Sequence, residues 1–354
     1  FVERGAPSSG NGGDDCGQPA DSTDGLYKQR AIAARRIVID IPACDGADLY
    51  LFDGPSMKEA LARYNRFFGG GAMPPLWGLR NWYRAKTDAP ADRVVELMDY
   101  FTARDIPIDV IGLEPGWQTK AYSCSYVWNP ALFPDPRQFL SAAAKRGYHT
   151  NLWEHAYVHP DSPIHDPLLP VAGDTRVWRG LVPDFSCKQA RDVFARYHQT
   201  EFVDNGVSGF KLDECDNSDY IASPWAFPET SEFPGGMDGE QMHSEFGLLY
   251  QHTVLRTFRE RNQRTYSLVR SSHAGASPYP FVLYSDLYNH KDFIRGTVNA
   301  GFSGLLWTPE LRDAKSEAEE LRRQAEAGLA ARLEESGLAP GKTEADYRGR
   351  LAFE

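Results

Sequence analysis

Along residues 73–313 the spacing of apolar positions switches repeatedly between two periods. Short alternating or continuous apolar runs predict strands at 76–83, 108–113, 149–153, 209–212, 266–270, 281–284 and 304–307. Between them the period lengthens. In 91–104, Val94, Leu97, Met98 and Phe101 fall at i, i+3, i+4 and i+7 and mark one apolar helix face, and 186–203 and 242–261 read the same way. Strands that alternate with helices require a parallel sheet, and seven or eight such units favour a closed (β/α) barrel over an open doubly wound sheet. Upstream, 36–41 and 48–52 are β-like, and Ser56 with Glu59 forms a capping box for a helix that stops at Gly69, Gly70 and Gly71.

The expected organisation follows from these patterns. Residues 1–35 are a flexible lead-in, Gly-, Ser-, Asp- and Pro-rich over 5–25. Residues 36–72 are the end of an N-terminal β-domain with a connector helix, 73–313 the (β/α) barrel, and 314–354 a helical tail rich in Ala, Glu, Leu and Arg. The fold class is α/β, a (β/α)8 TIM-type barrel that is incomplete at its C-terminus, since no eighth strand is legible. An unclosed barrel leaves two sheet edges to be dealt with. The first residues, Phe1-Val2-Glu3-Arg4, show no signal-peptide pattern and read as internal to a longer protein; they leave the compartment open.

Composition narrows the chemistry. A net charge of -11 over 354 residues argues against a nucleic-acid partner, because that binding relies on cations meeting phosphates. No apolar run approaches the roughly 20 residues needed to span a bilayer. The five cysteines form no CxxC pair, and neither GxGxxG nor GxxxxGK[ST] occurs, so no cofactor is expected. His155 and His159 lie four apart but outside any HExxH frame, which leaves a metal site without a motif. A small, neutral substrate fits this charge better; the oligomeric state stays open.

The most informative stretch is Gly209-Phe210-Lys211-Leu212-Asp213-Glu214, a short buried strand that runs straight into carboxylates. Barrel active sites lie at the C-terminal ends of the strands, so an acid there is a candidate for chemistry. Polar residues recur at the other strand ends: Asn81 and Arg84, Glu114 and Trp117, Glu154 and His155, Arg270 and His273, Asp286, and Glu310. With Trp117, Trp153, Tyr284 and Trp307 they suit a sugar, whose hydroxyls call for charged partners and whose carbon face calls for aromatic walls.

The chain is similar to glycoside hydrolase family 31, retaining α-glycosidases on a (β/α) barrel, over residues 36–313. The resemblance rests on short segments in order: Asp48-Leu49-Tyr50-Leu51-Phe52 with Gly54-Pro55, Arg63-Tyr64 through Gly69-Gly70 to Pro74-Pro75-Leu76-Trp77-Gly78-Leu79, Ile106-Pro107-Ile108-Asp109-Val110, Phe133-Pro134-Asp135-Pro136, Pro183-Asp184-Phe185, the Asp213 segment, and Arg270-Ser271-Ser272-His273-Ala274-Gly275. It implies a nucleophile at Asp213, an acid/base at Asp286 and substrate contacts from Arg270. Glu114, Trp117, Trp153, Lys211, His273, Trp307 and Glu310 complete the expected substrate-binding set. Lys211 and Arg270 would keep Asp213 ionised, while Tyr284 and Tyr288 would raise the pKa of Asp286 by desolvation.

Two departures matter. The acid/base segment reads Leu283-Tyr284-Ser285-Asp286 in place of Trp-x-Gly-Asp, and Glu114 stands where the family has Asp. The resemblance implies a glycoside or oligosaccharide substrate, α-galactoside- or α-glucoside-like; the longer side chain at 114 suggests a specificity other than plain α-glucoside, an α-galactoside first, with α-xyloside and N-acetylated sugars behind it. The competing expectation is a truncated, non-catalytic carbohydrate-binding barrel or a fragment of a larger glycosidase.

Overall fold

The computed structural model describes residues 46, 48–215, 226–284 and 290–308. The chain divides into two units, Phe1–Leu51 and Phe52–Glu354. In the first, the described residues carry no strand, so the β-like pattern of 48–52 is not realised there, while 36–41 lies outside the described residues.

The second unit is built on six parallel strands: β1 (Asn81–Ala85), β2 (Ile108–Leu113), β3 (His149–Glu154), β6 (Val207–Leu212), β7 (Ser267–Val269) and β8 (Phe281–Leu283). They pair in the order β1-β2-β3-β6-β7-β8, with every neighbour parallel. The sheet curls as a part-barrel of the (β/α)8 type. The described α-helices are α1 (Met57–Phe67), α2 (Ala91–Ala103), α3 (Pro136–Lys145), α4 (His165–Leu168), α5 (Lys188–Glu201), α6 (Gly239–Arg259) and α7 (His290–Phe302).

Local chemistry accounts for the boundaries. Ser56 Oγ accepts from the Glu59 amide at 3.4 Å and donates to its carboxyl at 2.9 Å, which starts α1. Past the end of α1, Gly69 and Gly70 take φ of 98° and 90°, a conformation that costs a glycine little. Asp135 caps α3 through the Gln138 amide, and Asp238 caps α6 through the Gln241 amide.

Strand parity sorts the side chains onto two faces. Tyr83, Leu113, Leu152, Phe210, Leu212 and Val269 belong to the large core with the helices. Tyr266, Leu268, Val282 and Tyr284 form a smaller cluster with Trp77 and Trp82. That second cluster explains why the strand expected at 76–83 starts late. Leu76–Leu79 is a short 3-10 turn whose Gly78 sits so close to the Tyr266 ring that an added Cβ would lie 2.5 Å from it, and Trp77 stacks on His149 at 4.0 Å. The strand expected at 304–307 is reduced to one parallel bridge between Leu283 and Trp307, held by hydrogen bonds of 2.8 and 2.9 Å.

An unexpected antiparallel hairpin, β4 (Ala172–Val177) and β5 (Gly180–Pro183), interrupts the β/α alternation. Its two-residue turn is Trp178-Arg179, with φ of 48° and 68°. Such a turn normally selects Asn-Gly, and a non-glycine residue in this region costs on the order of 1 kcal/mol. The hairpin docks on the segment after β3 through paired Val158–Leu181 backbone bonds of 2.9 Å, and that segment in turn pairs with Cys124.

Candidate active site

β3 and β6 are neighbours, with Trp153 opposite Lys211 and Glu154 opposite Leu212. Asp213 follows β6 and shares the parity of Lys211, so it lies on the face of Trp153 and away from the helices. Its side chain is held from several directions. The Trp153 indole donates to Oδ2 at 2.7 Å, Arg270 to Oδ1 at 3.2 Å, and the Glu214 amide to Oδ1 at 2.9 Å. Its backbone amide donates to the Glu154 carbonyl at 2.8 Å. Glu214 adopts φ of 55°, and its carbonyl accepts from the Tyr157 hydroxyl at 2.7 Å.

Asp213 is 6% exposed. Burial alone pushes its pKa up, but the Lys211 and Arg270 charges, with hydrogen bonding by Tyr284 and Trp153, outweigh that, and the carboxyl lies below its ordinary value. It is therefore an ionised carboxylate in a nearly dry setting. Lys211 is itself buried, with its ammonium 4.6 Å from the centre of the Tyr284 ring and 3.9 Å from Glu114.

A second charged group borders the first. Arg84 on β1 pairs with Glu114 through Nε, donates to Asn151 at 2.7 Å and to the Leu113 carbonyl at 3.0 Å. Gly112 makes room for this arginine, since a Cβ there would stand 2.4 Å from the guanidinium. Arg84, Glu114, Lys211, Asp213 and Arg270 thus run from β1 to β7 as alternating charges along the strand ends.

Other expected site residues take different roles. Trp117 is 1% exposed and packs against Trp128 and Phe202, donating its indole N–H to the Trp153 carbonyl at 2.7 Å. It fills the core instead of forming a wall. Trp153 is equally buried and serves as a hydrogen-bond donor to Asp213. Trp307 is half-buried with its ring against Gly296 of α7. His273 is half-buried in the segment between β7 and β8; burial lowers its pKa, with Glu245 acting the other way. Asp286 and Glu310 lie outside the described residues, as does Tyr288.

Glu154 and His155 also depart from expectation. Glu154 points to the helix layer, where Tyr250 on α6 donates to it at 2.5 Å and His198 on α5 lies 3.1 Å away. His155 is fully buried among aromatic rings, and desolvation depresses its pKa to about 3 despite the charge of Asp213. Among the described residues no three His, Cys, Asp or Glu side chains come together to hold a metal ion, and no described helix is long and apolar enough to cross a membrane.

Sequence reasoning did not pick out Asn151, nor the aromatic pair Tyr122 and Trp178. Tyr122 is 42% exposed and its ring lies 5.4 Å from Trp153 and 5.0 Å from Trp178. The one signal for this pair was a Trp-Arg dipeptide between two β-like runs, which lacks the usual turn residues.

Comparison with known proteins agrees with this architecture. An α-xylosidase from Emericella nidulans is 23% identical over 285 residues, which is 75% of this chain and 35% of that protein. The α-xylosidase XylQ of Lactiplantibacillus pentosus is 27% identical over 58% of this chain and 28% of its own length. An α-glucosidase of Saccharolobus solfataricus is 22% identical over 71% of this chain and 41% of its own. The chain thus spans well under half of each of these relatives. Among solved structures, a family 31 dextranase from Flavobacterium johnsoniae complexed with glucose superposes with a TM-score of 0.64 at 21% identity, covering 74% of this chain and 36% of the other. An α-xylosidase from Xanthomonas citri gives 0.64 at 20% identity over 77% of this chain and 32% of its own. Residues 71–328 match the glycosyl hydrolases family 31 TIM-barrel domain, and the chain belongs to that family.

Proposed function

We propose that this chain carries the catalytic barrel, residues 73–313, of a retaining α-glycoside hydrolase, with Asp213 as nucleophile and Asp286 as general acid/base. The observation that carries the reading is the setting of Asp213: buried, and held at both carboxylate oxygens by Trp153, Arg270 and the Glu214 amide, with Lys211 and Arg270 drawing its pKa below the ordinary value. In the first step an Asp213 oxygen attacks the anomeric carbon as the bond to the leaving oxygen breaks, and Asp286 delivers its proton to that oxygen. In the second, Asp286 takes a proton from water, the water oxygen bonds to the anomeric carbon, and the bond to Asp213 breaks. This chemistry needs the two carboxyls roughly 5 to 5.5 Å apart.

The sugar-binding part of the proposal falls to Arg84, Glu114 and Lys211, which present charge to hydroxyls on the side away from the helices. Glu114 stands next to Arg84 and Lys211, so its longer side chain is already paired before any sugar arrives. The α-xylosidase and α-glucosidase relatives support an α-xyloside or α-glucoside ahead of the α-galactoside first expected from Glu114.

A panel of aryl α-xylosides, α-glucosides and α-galactosides tests the reading. Release of the aryl group by the wild type, lost in D213A, supports it. D286A should retain most rate on the best leaving groups and regain some with azide; equal loss on all of them would remove Asp286 from its role. Sugar binding with no release would leave a carbohydrate-binding barrel.

A further inference from the structure

We infer that Tyr157 is a positioning residue for Asp213: its hydroxyl clamps the far side of the turn that aims the carboxylate. This rests on the glycosidase reading above and deepens it.

The turn begins where β6 ends. The peptide entering Asp213 is fixed by the bond from its amide to the Glu154 carbonyl at 2.8 Å, and the peptide leaving Glu214 is fixed by the Tyr157 hydroxyl, which donates to the Glu214 carbonyl at 2.7 Å. Asp213 and Glu214 are thus bracketed by two bonds from one short segment, 154–157, while Trp153 just before it donates to the Asp213 side chain. Between the brackets Glu214 takes φ of 55°, a left-handed conformation that a glutamate does not favour by itself. Held there, its amide donates back to Asp213 Oδ1 at 2.9 Å. Without the Tyr157 hydroxyl the carbonyl end is released, φ can return to the favoured region, and the peptide that carries this amide turns away from the carboxylate.

Tyr157 is itself firmly held. It is fully buried, its amide donates to His155 Nδ1 at 3.2 Å, and its carbonyl accepts from the Cys124 amide at 2.9 Å. Its ring lies parallel to that of Phe246 on α6, with centres 6.1 Å apart, and meets Trp178 edge-on at 5.7 Å. A ring packed on two sides keeps its hydroxyl in one place. The clamp therefore ties the turn after β6 to the segment after β3 and, through Phe246, to the helix layer.

The test is Y157F, which keeps the ring and deletes the donor. A hydroxyl that only satisfied a buried carbonyl would affect stability; one that aims Asp213 affects attack. On α-xylosyl and α-glucosyl fluoride, kcat/KM should fall about tenfold, with the inhibition constants of free xylose and glucose within about twofold of wild type. Loss of the amide bond from the charged form should move the acid limb of kcat/KM up by about half a pH unit, since Lys211, Arg270, Tyr284, His155 and the Glu214 carboxyl, which also bear on Asp213 or its arginine, are unsubstituted. Unchanged kcat/KM, or an equal weakening of sugar binding, overturns the proposal. Should Y157F fail to fold, hydrogen exchange on the wild type decides: the Glu214 amide should be protected as strongly as those of β6, and exchange as fast as in an unfolded chain overturns the clamp. A wild type that hydrolyses neither fluoride defeats the glycosidase reading instead. The Asp213 carboxyl, titrated by carbon NMR in wild type and Y157F, then judges the clamp by the same upward shift, and no shift overturns it.

Discussion

Asp213 and Glu154 end neighbouring strands, are linked by a backbone hydrogen bond of 2.8 Å, and are 6% and 0% exposed, yet they occupy unlike surroundings. Asp213 meets cations and an indole N–H on the face away from the helices. Glu154 meets His198 and Tyr250 between the sheet and the helices α5 and α6. The difference is one of parity. Residue 154 pairs with Leu212, an outward position, while residue 213 falls one place further along and turns the other way. Burial of a carboxyl at a strand end is thus no guide to chemistry until the face is known.

The largest expected effect is on the first member of the pair. D213A should lower kcat by at least about a thousandfold while far-UV circular dichroism stays native; a residual rate within tenfold of wild type would end the comparison. On the other member the effect should be on stability. E154L leaves His198 and Tyr250 facing an apolar side chain inside the helix layer, and should cost about 3 to 5 kcal/mol in urea unfolding. Turnover per folded molecule should change by less than about tenfold, and a larger fall would move Glu154 into the chemistry.

His155, which follows Glu154, sharpens the contrast through pH. Its folded pKa is depressed from 6.5 to about 3, so as pH falls below 6.5 the unfolded chain binds the proton first. Stability is fully present above 6.5 and declines towards pH 3, by about 1.4 kcal/mol per unit over the steep part. Urea midpoints for H155N at pH 7, 5 and 4 should show that slope reduced.

The smallest effect concerns the charge beside Asp213, the proposed nucleophile. Asp213 lies below its ordinary pKa, so the acid limb of kcat/KM falls below the usual carboxylate range. Replacing Arg270 with Gln removes one of the two cations that overcome burial, and the limb should move up by about one pH unit. No movement would mean that Lys211, with the Trp153 and Tyr284 hydrogen bonds, suffices to hold the pKa of Asp213 down.

Much of this was legible in the chain. The apolar runs at 108–113 and 149–153 and the helical faces at 91–104 and 242–261 emerge with shifts of only a few residues, because period and propensity act locally. The stretch from Phe210 to Asp213 could be read as a strand running into an acid for the same reason. Three things could not be read. The turn at Leu76–Leu79 depends on Tyr266, nearly two hundred residues away. The β4–β5 hairpin uses a Trp-Arg turn that local statistics disfavour, held by packing on Tyr122, His155 and Tyr157.

The third is the sorting of polar residues at the strand ends. The order of residues by itself determined that strands and helices alternate, that a carboxylate follows Phe210-Lys211-Leu212, and that the chain carries a net charge of -11, since these depend on period, neighbour and composition. Only the tertiary structure decided that Trp117 and Glu154 join the packed layers while Trp153, Arg270 and Lys211 gather on Asp213. Register between strands far apart in sequence sets which face each side chain takes, and pairing across β3 and β6 places residues 153 and 213 within hydrogen-bonding distance.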